Sequence, residues 1–364
     1  MIVMNDFRRQ VAALRPELDR AIARVLESGW YILGEEVRAF EAELAAHVGA
    51  AHAVGVGNGM DAIELALRAL DVGPGDEVIT TPLSAFATAL AIVRAGARPV
   101  FVDIDEESYA LDPARVEAAI TPRSRAIVPV HLYGQAADLE ALGELARRRG
   151  LLLVGDAAQA HGATFGGRDV GGFGEAVAYS FYPTKNLGAF GDGGAVVTND
   201  AARAARLRTL RDYGQAERYR HVERGLNSRL DELQAAILRV KLAGLSAQNR
   251  RRRALAERYR AALAGLPLVL PVEKPYGRSV YHLFVVRCAR RDALQRSLRE
   301  RGVQTLVHYP VLLPHQPALQ PLGITGSWPV AERCAAELLS LPIYPELTDD
   351  EVDQVAAAAQ DFFA

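Results

Sequence analysis

The sequence predicts an α/β protein: a large, mostly parallel seven-stranded sheet covered by helices, joined to a smaller C-terminal α+β unit. Three observations carry that expectation. Short apolar runs alternate with helical patterns over the first two-thirds of the chain, the pattern of parallel strands joined by crossover helices. Beyond about residue 200 the composition shifts to long stretches rich in Arg and Ala. The chain has 364 residues, half of them hydrophobic, which suits about two domains with sizeable cores.

The elements follow in order. Apolar runs at 53–56, 77–80, 99–103, 126–130, 151–154 and 176–181 read as strands. Between them, 61–70, 88–95, 113–120 and 138–149 have helical spacing, and Gly73, Gly96 and Gly150 fall where C-caps would lie. Residues 193–198 make a seventh strand, close enough to the one before it to pair antiparallel. Helices are expected at 201–211 and 230–259, and the Pro-rich stretch 266–275 reads as a link. A strand at 281–286, a helix at 291–301, a Pro-rich loop at 310–321, a helix at 330–339 and a last helix from Asp349 build the smaller unit. The expected division is 1–245 for the large domain and 246–364 for the small one.

Charge and cysteine content narrow the function classes. The net charge of −2 provides no field for nucleic acid or an anionic membrane. Arg250–Arg253 are followed by Leu255, Tyr259 and Leu263 at helical spacing, so the arginines read as the solvated side of an amphipathic helix. A contribution to binding a diphosphate stays open. Cys288 and Cys334 have neither paired spacing nor a ligand cluster, which points to a reducing, cytoplasmic setting and no metal. Residues 1–10 carry no apolar run before their charges, so no signal peptide is expected, and no stretch approaches membrane-spanning length.

Lys185 is the residue that points to chemistry. It follows the apolar strand at 176–181 and precedes the nearly uncharged Gly188, Gly191, Gly193 and Gly194. A lysine held there loses hydration, its pKa falls, and its neutral amine becomes a nucleophile able to form a Schiff base. Asn58-Gly59-Met60-Asp61 follows a strand and opens a helix, where free N–H groups and the helix dipole hold phosphate; a plain strand-to-helix turn reads the same way. Asp156 follows another apolar run, at the carboxyl end of an expected parallel strand, where ligands sit in open α/β folds. It is either a helix cap or an acid that keeps a pyridine nitrogen protonated. Gln159 is a candidate donor to a ring oxygen, and His161 either stacks on a ring or fills the core. Ser180, five residues before Lys185, is a candidate phosphate contact, and Asn227 either caps a helix or offers its amide to phosphate. Together these features converge on pyridoxal phosphate.

The ordered set resembles the DegT family of nucleotide-sugar aminotransferases, of the aspartate-aminotransferase fold (fold type I). The resemblance runs from Ser28-Gly29-Trp30-Tyr31-Ile32-Leu33-Gly34 through Gly73-Pro74-Gly75-Asp76-Glu77, His131-Leu132-Tyr133-Gly134 and the Asp156 and Lys185 strings to His308-Tyr309-Pro310 and Leu341-Pro342-Ile343-Tyr344-Pro345. It implies that Lys185 carries the cofactor covalently, Asp156 pairs with its ring nitrogen and Gln159 with its ring hydroxyl, and Gly59, Met60 and Ser180 hold its phosphate. It implies that Asn227 reaches the phosphate in the neighbouring subunit of a homodimer with shared sites. Relatives with histidine in place of the lysine are dehydratases, so Lys185 favours amino transfer. One departure stands out: where the family commonly has an aromatic stacked on the ring, Ala85 falls in register, with Phe86 one residue later.

The implied reaction moves the amino group of L-glutamate to a keto sugar carried on a nucleotide diphosphate. Asn227-Ser228-Arg229-Leu230-Asp231-Glu232-Leu233-Gln234 is similar to the branch that aminates C3 of dTDP-3-keto-6-deoxyhexoses, with C4 amination the alternative. Tyr31, Tyr213, Tyr219, His308 and Tyr309 are the candidate substrate contacts. A sugar dehydratase or lyase using the same cofactor is the rival enzyme, and a non-catalytic regulator on this fold is the rival from another class.

Overall fold

The computed structural model describes residues 1–364. Its centre is a seven-stranded sheet ordered His52–Val56, Gly194–Thr198, Ala176–Ser180, Leu152–Asp156, Ser124–Val128, Glu77–Thr80 and Arg98–Phe101. All neighbours pair parallel except Gly194–Thr198, which runs antiparallel to both strands beside it. The seven strands are those the apolar runs predict, with ends shifted by one or two residues.

Side-chain alternation explains how the sheet is buried on both faces. Val177 and Tyr179 point into an apolar cluster that includes Phe40, Leu44, Phe181 and Leu230. Ala176 and Ala178, between them in sequence, point to the other side, against Ile63, Leu65 and Leu67 of helix Gly59–Ala69. Two-sided burial is why these strands read as continuous apolar runs.

The N-terminal helices Phe7–Ser28 and Glu35–Val48 pack on the long helix Glu232–Ala262. Helix Glu35–Val48 starts at Gly34, which has no side chain to cap it. The buried carboxylate of Glu232 supplies the cap instead, accepting from the N–H groups of Gly34 at 2.7 Å, Glu36 at 2.8 Å and Val37 at 2.9 Å. A carboxylate at a helix N-terminus also meets the positive end of the helix dipole.

The C-terminal part is a two-stranded antiparallel sheet, Phe284–Arg287 with Leu338–Leu341, packed by helices Arg291–Glu300, Pro329–Glu337 and Asp349–Phe363. Three expectations need correction here and nearby. Residues 338 and 339 are strand, not helix, because Leu338 is extended and pairs with Arg287. Gly73 is not a C-cap: its helix stops at Leu70, and Asp71 takes the left-handed conformation, φ 57°. Arg252 is not solvated. It is buried, and its guanidinium donates to the carbonyls of Tyr281, His282 and Ile343. Leu255, Tyr259 and Leu263 form the expected buried stripe.

Helix Glu232–Ala262 runs unbroken through residue 245. Its buried side chains include Lys241, Asn249 and Arg252 as well as apolar ones. No helix is long and apolar enough to cross a membrane.

Candidate active site

A cavity of about 510 Å³ opens at the carboxyl ends of the parallel strands. Asn58, Gly59, Met60, Ala87, Ser180 and Lys185 line it from the sheet side. His282, Leu283, His308 and Tyr309 close it from the C-terminal part.

Close backbone packing shapes one end. A Cβ on Gly59 would lie 2.5 Å from the Cβ of Ser180, and one on Gly194 would lie 2.4 Å from the carbonyl of Asn58. Only glycine lets the start of helix Gly59–Ala69 seat against these strands. Asn58 caps that helix, accepting from the Asp61 N–H at 2.8 Å. Neither Gly59 nor Met60 has a partner for its N–H within the chain. Two free N–H groups at a helix N-terminus beside the Ser180 hydroxyl make a cradle that could hold an anion such as phosphate. Ser228 braces it from below, donating to Asp61 Oδ2 at 2.7 Å and accepting from the Gly57 N–H at 3.0 Å.

Lys185 follows the strand Ala176–Ser180 on a turn closed by its own N–H, which donates to the Tyr182 carbonyl at 2.8 Å. Its side chain reaches the cavity. Burial, partly offset by the attraction of Asp156, draws its pKa from 10.5 down to about 8. An amine reacts in its neutral form, so capture of a small aromatic aldehyde by cofactor-free protein is expected to rise about tenfold per pH unit below that value. It should level off above about 8. A stopped-flow rate–pH profile that kept rising past pH 10 would mean an ordinary lysine.

Asp156 is the last residue of its strand and is buried. Its carboxylate accepts from Thr88 Oγ1 at 2.8 Å and from the Ala158 N–H at 3.1 Å. Burial raises its pKa against these two hydrogen bonds and the pull of Lys185. It caps no helix, since the residues after it form a turn, and this removes the cap reading. Gln159 accepts from the Tyr133 N–H at 2.8 Å and donates to the Tyr309 hydroxyl at 3.0 Å. One of its two amide hydrogens is left over.

His161 is buried between Tyr179 and Phe181, outside the cavity lining, and burial pulls its pKa down to about 3. It is a neutral core residue. Phe86 packs into the apolar cluster around Leu83 and Tyr133, and Ala87 is the residue of that segment that lines the cavity. Tyr133 holds the His308 loop, its hydroxyl donating to the His308 carbonyl.

The structure thus brings Gly59, Met60, Ser180, Lys185, His308 and Tyr309 around one cavity, with Asp156 and Gln159 bonded behind it. It does not bring Tyr31, Tyr213, Tyr219 or Asn227 there. Tyr31, Tyr213 and Tyr219 are 49%, 46% and 80% exposed, Asn227 is exposed, and none lines the cavity of its own chain. Sequence reasoning missed Thr88, Ala87 and His282. Only Thr88 had a signal, standing at the expected start of a helix that follows a strand end.

The cradle, the acid and the desolvated lysine match the three parts of pyridoxal phosphate: phosphate, ring nitrogen and aldehyde. This is the layout of the aspartate-aminotransferase-like enzymes of fold type I. A model of the DegT/DnrJ/EryC1/StrS aminotransferase family matches residues 13–360, and the chain belongs to that family. It is 54% identical over 354 residues to the protein named erythromycin biosynthesis sensory transduction protein EryC1 of Saccharopolyspora erythraea, covering 97% of each chain. It is 53% identical over 359 residues to the dTDP-3-amino-3,4,6-trideoxy-alpha-D-glucose transaminase of Streptomyces venezuelae, covering 98% of this chain and 95% of that one. The crystal structure of S. venezuelae DesV in complex with a ketimine intermediate is similar with a TM-score of 0.97 at 52% identity, covering 99% and 97%.

Proposed function

We propose that this chain is a pyridoxal-phosphate-dependent aminotransferase that moves the amino group of L-glutamate to C3 of a dTDP-3-keto-6-deoxyhexose. The observation that carries the reading is Lys185: a lysine with a lowered pKa, facing a buried acid, beside a phosphate cradle. The similarity to a transaminase forming a dTDP-3-amino sugar supports the sugar and the carbon.

In this reading Gly59, Met60 and Ser180 hold the phosphate, Asp156 faces the ring nitrogen, and Gln159 offers its free amide hydrogen to the ring hydroxyl. The cofactor supplies an electron sink for the carbon that loses its proton. Lys185 Nζ would be the acid–base that carries that proton between the substrate carbon and the cofactor's aldehyde carbon, C4′. Thr88 holds Asp156 in place from behind. Tyr309, tied to Gln159, and His308, whose Nδ1 lies 2.8 Å from Ser340 Oγ, form the wall toward the sugar.

The reading includes a cytoplasmic homodimer and a division into domains at about residue 245. Exposed Trp30, Tyr31, Tyr213 and Tyr219 support a partner surface. In that dimer Asn227 serves the neighbouring cofactor, and Tyr31, Tyr213 and Tyr219 belong to the neighbouring site. Mixed protomers of Lys185→Ala and Asn227→Ala are therefore expected to recover part of the activity that each lacks alone. Absence of recovery in a mixing titration would remove Asn227 from the shared site.

The test of the function is a screen of 3-keto and 4-keto sugars carried on dTDP and UDP, reading glutamate-dependent amination. Amination of none of them would overturn the proposal.

A further inference from the structure

His282 lines the cavity, yet the reaction described above gives it no role. Its environment determines where its proton sits. Asn186, the residue after Lys185, is buried, and its Nδ2 lies 3.1 Å from the Val280 carbonyl and 2.9 Å from Asn249 Oδ1. A backbone carbonyl only accepts, so that end of Asn186 is the NH2 group. Asn249 is fixed in the same way, because its Nδ2 lies 2.8 Å from the His161 carbonyl. The Oδ1 of Asn186 must then face His282, whose Nδ1 stands 3.1 Å away. An amide oxygen only accepts, so Nδ1 carries the hydrogen. In a neutral imidazole the other nitrogen, Nε2, is then bare.

The ring is neutral for reasons visible around it. It is buried, and the groups facing it are the cations Lys185 and Arg252 and the imidazoles of His161 and His308, so its pKa lies well below the ordinary value. The carboxylate that lines the same cavity, Asp192, is not among these leading influences on the ring. Nε2 has no hydrogen-bond partner in the chain.

We infer that His282 is a specificity residue: its Nε2 accepts a hydrogen bond from a hydroxyl of the sugar bound in the cavity, with Asn186 and Asn249 as positioning residues that keep the proton on Nδ1. This rests on the proposed sugar substrate, but the tautomer does not. The same relay joins the residue beside Lys185 to the cavity's opposite wall.

The test has two parts. First, the protein labelled with 15N-histidine contains eight histidines, and His282 is assigned by the signal lost in His282→Asn. Long-range 15N–1H correlation on the wild-type protein is expected to show protonated Nδ1 and bare Nε2. Protonated Nε2, or a doubly protonated ring at pH 7, would overturn the relay, and no substrate is needed to see it. In Asn186→Asp a carboxylate faces Nδ1, and His282 is expected to titrate at a higher pH than in wild type. Second, dTDP-glucose is added as a probe. The Nε2 signal is expected to shift with dTDP-glucose and stay fixed with dTDP alone. A shift with neither ligand would remove the hydroxyl contact while leaving the tautomer standing. In turnover, His282→Asn retains a donor near Nδ1 and lacks the Nε2 acceptor. KM for the keto sugar should rise about tenfold, with the glutamate half-reaction within about twofold of wild type. Equal losses in both half-reactions would mean a structural role only.

Discussion

Replacing Lys185 by alanine is expected to abolish glutamate-dependent amino transfer, with kcat falling by on the order of 10⁴-fold. Two losses add. The proposed covalent attachment point disappears, and so does the only amine lining the cavity that can carry a proton near neutral pH. The fold is expected to survive. Burial penalises the Lys185 ammonium, so its removal takes a poorly hydrated charge out of the folded state. The melting temperature should match or exceed wild type while the visible absorbance of added pyridoxal phosphate bound to Lys185 vanishes. Retention of more than about 1% of wild-type kcat would show that another group carries the proton.

Changing Asp156 to asparagine is the second large effect. The substitution preserves shape but exchanges a carboxylate for an amide. We expect kcat to fall by about 10²- to 10³-fold, because an amide cannot hold the ring nitrogen protonated. Stability should move the other way. Burial raises the Asp156 pKa in the folded chain, so the ionised form is disfavoured there relative to the unfolded chain. The folded state therefore loses stability through this group as pH rises past the unfolded value near 3.8, and the amide is free of that loss. Urea unfolding at pH 7 should show the variant at least as stable as wild type. A large drop in stability with activity retained would assign Asp156 a structural role.

What could be read from the sequence was local. Lys185, Asp156 and the Asn58–Met60 turn each lie at the end of an apolar run, and strand ends are where an open α/β sheet exposes side chains. The seven strands were legible because burial on both faces makes them continuous apolar stretches. Residues whose role depends on distant partners were not. Thr88 acts on Asp156 across 68 residues and Asn249 on Asn186 across 63; the helix start at Thr88 is visible locally, but nothing near either residue names its distant partner. The Leu-rich run at 338–341 has spacing that suits a helix, and pairing with Phe284–Arg287 decides otherwise. Arg252 looked solvated beside three other arginines, yet three backbone carbonyls claim it. The N-terminal helices have no place in the strand–helix alternation that carried the reading.

The helix Glu232–Ala262 has a mechanical consequence. At 1.5 Å per residue its 31 residues make a rod about 46 Å long. One end carries the Glu232 carboxylate that anchors the N-terminal segment, and the middle grips the Gly188 carbonyl through Lys241 and Asn186 through Asn249. Farther along, Arg252 holds the backbone of Tyr281 and His282. A rod does not fold at its midpoint, so any breathing of the cavity has to be absorbed in the connections beyond its ends. Tilting the rod would move the lysine turn and the His282 wall together, as points on one lever.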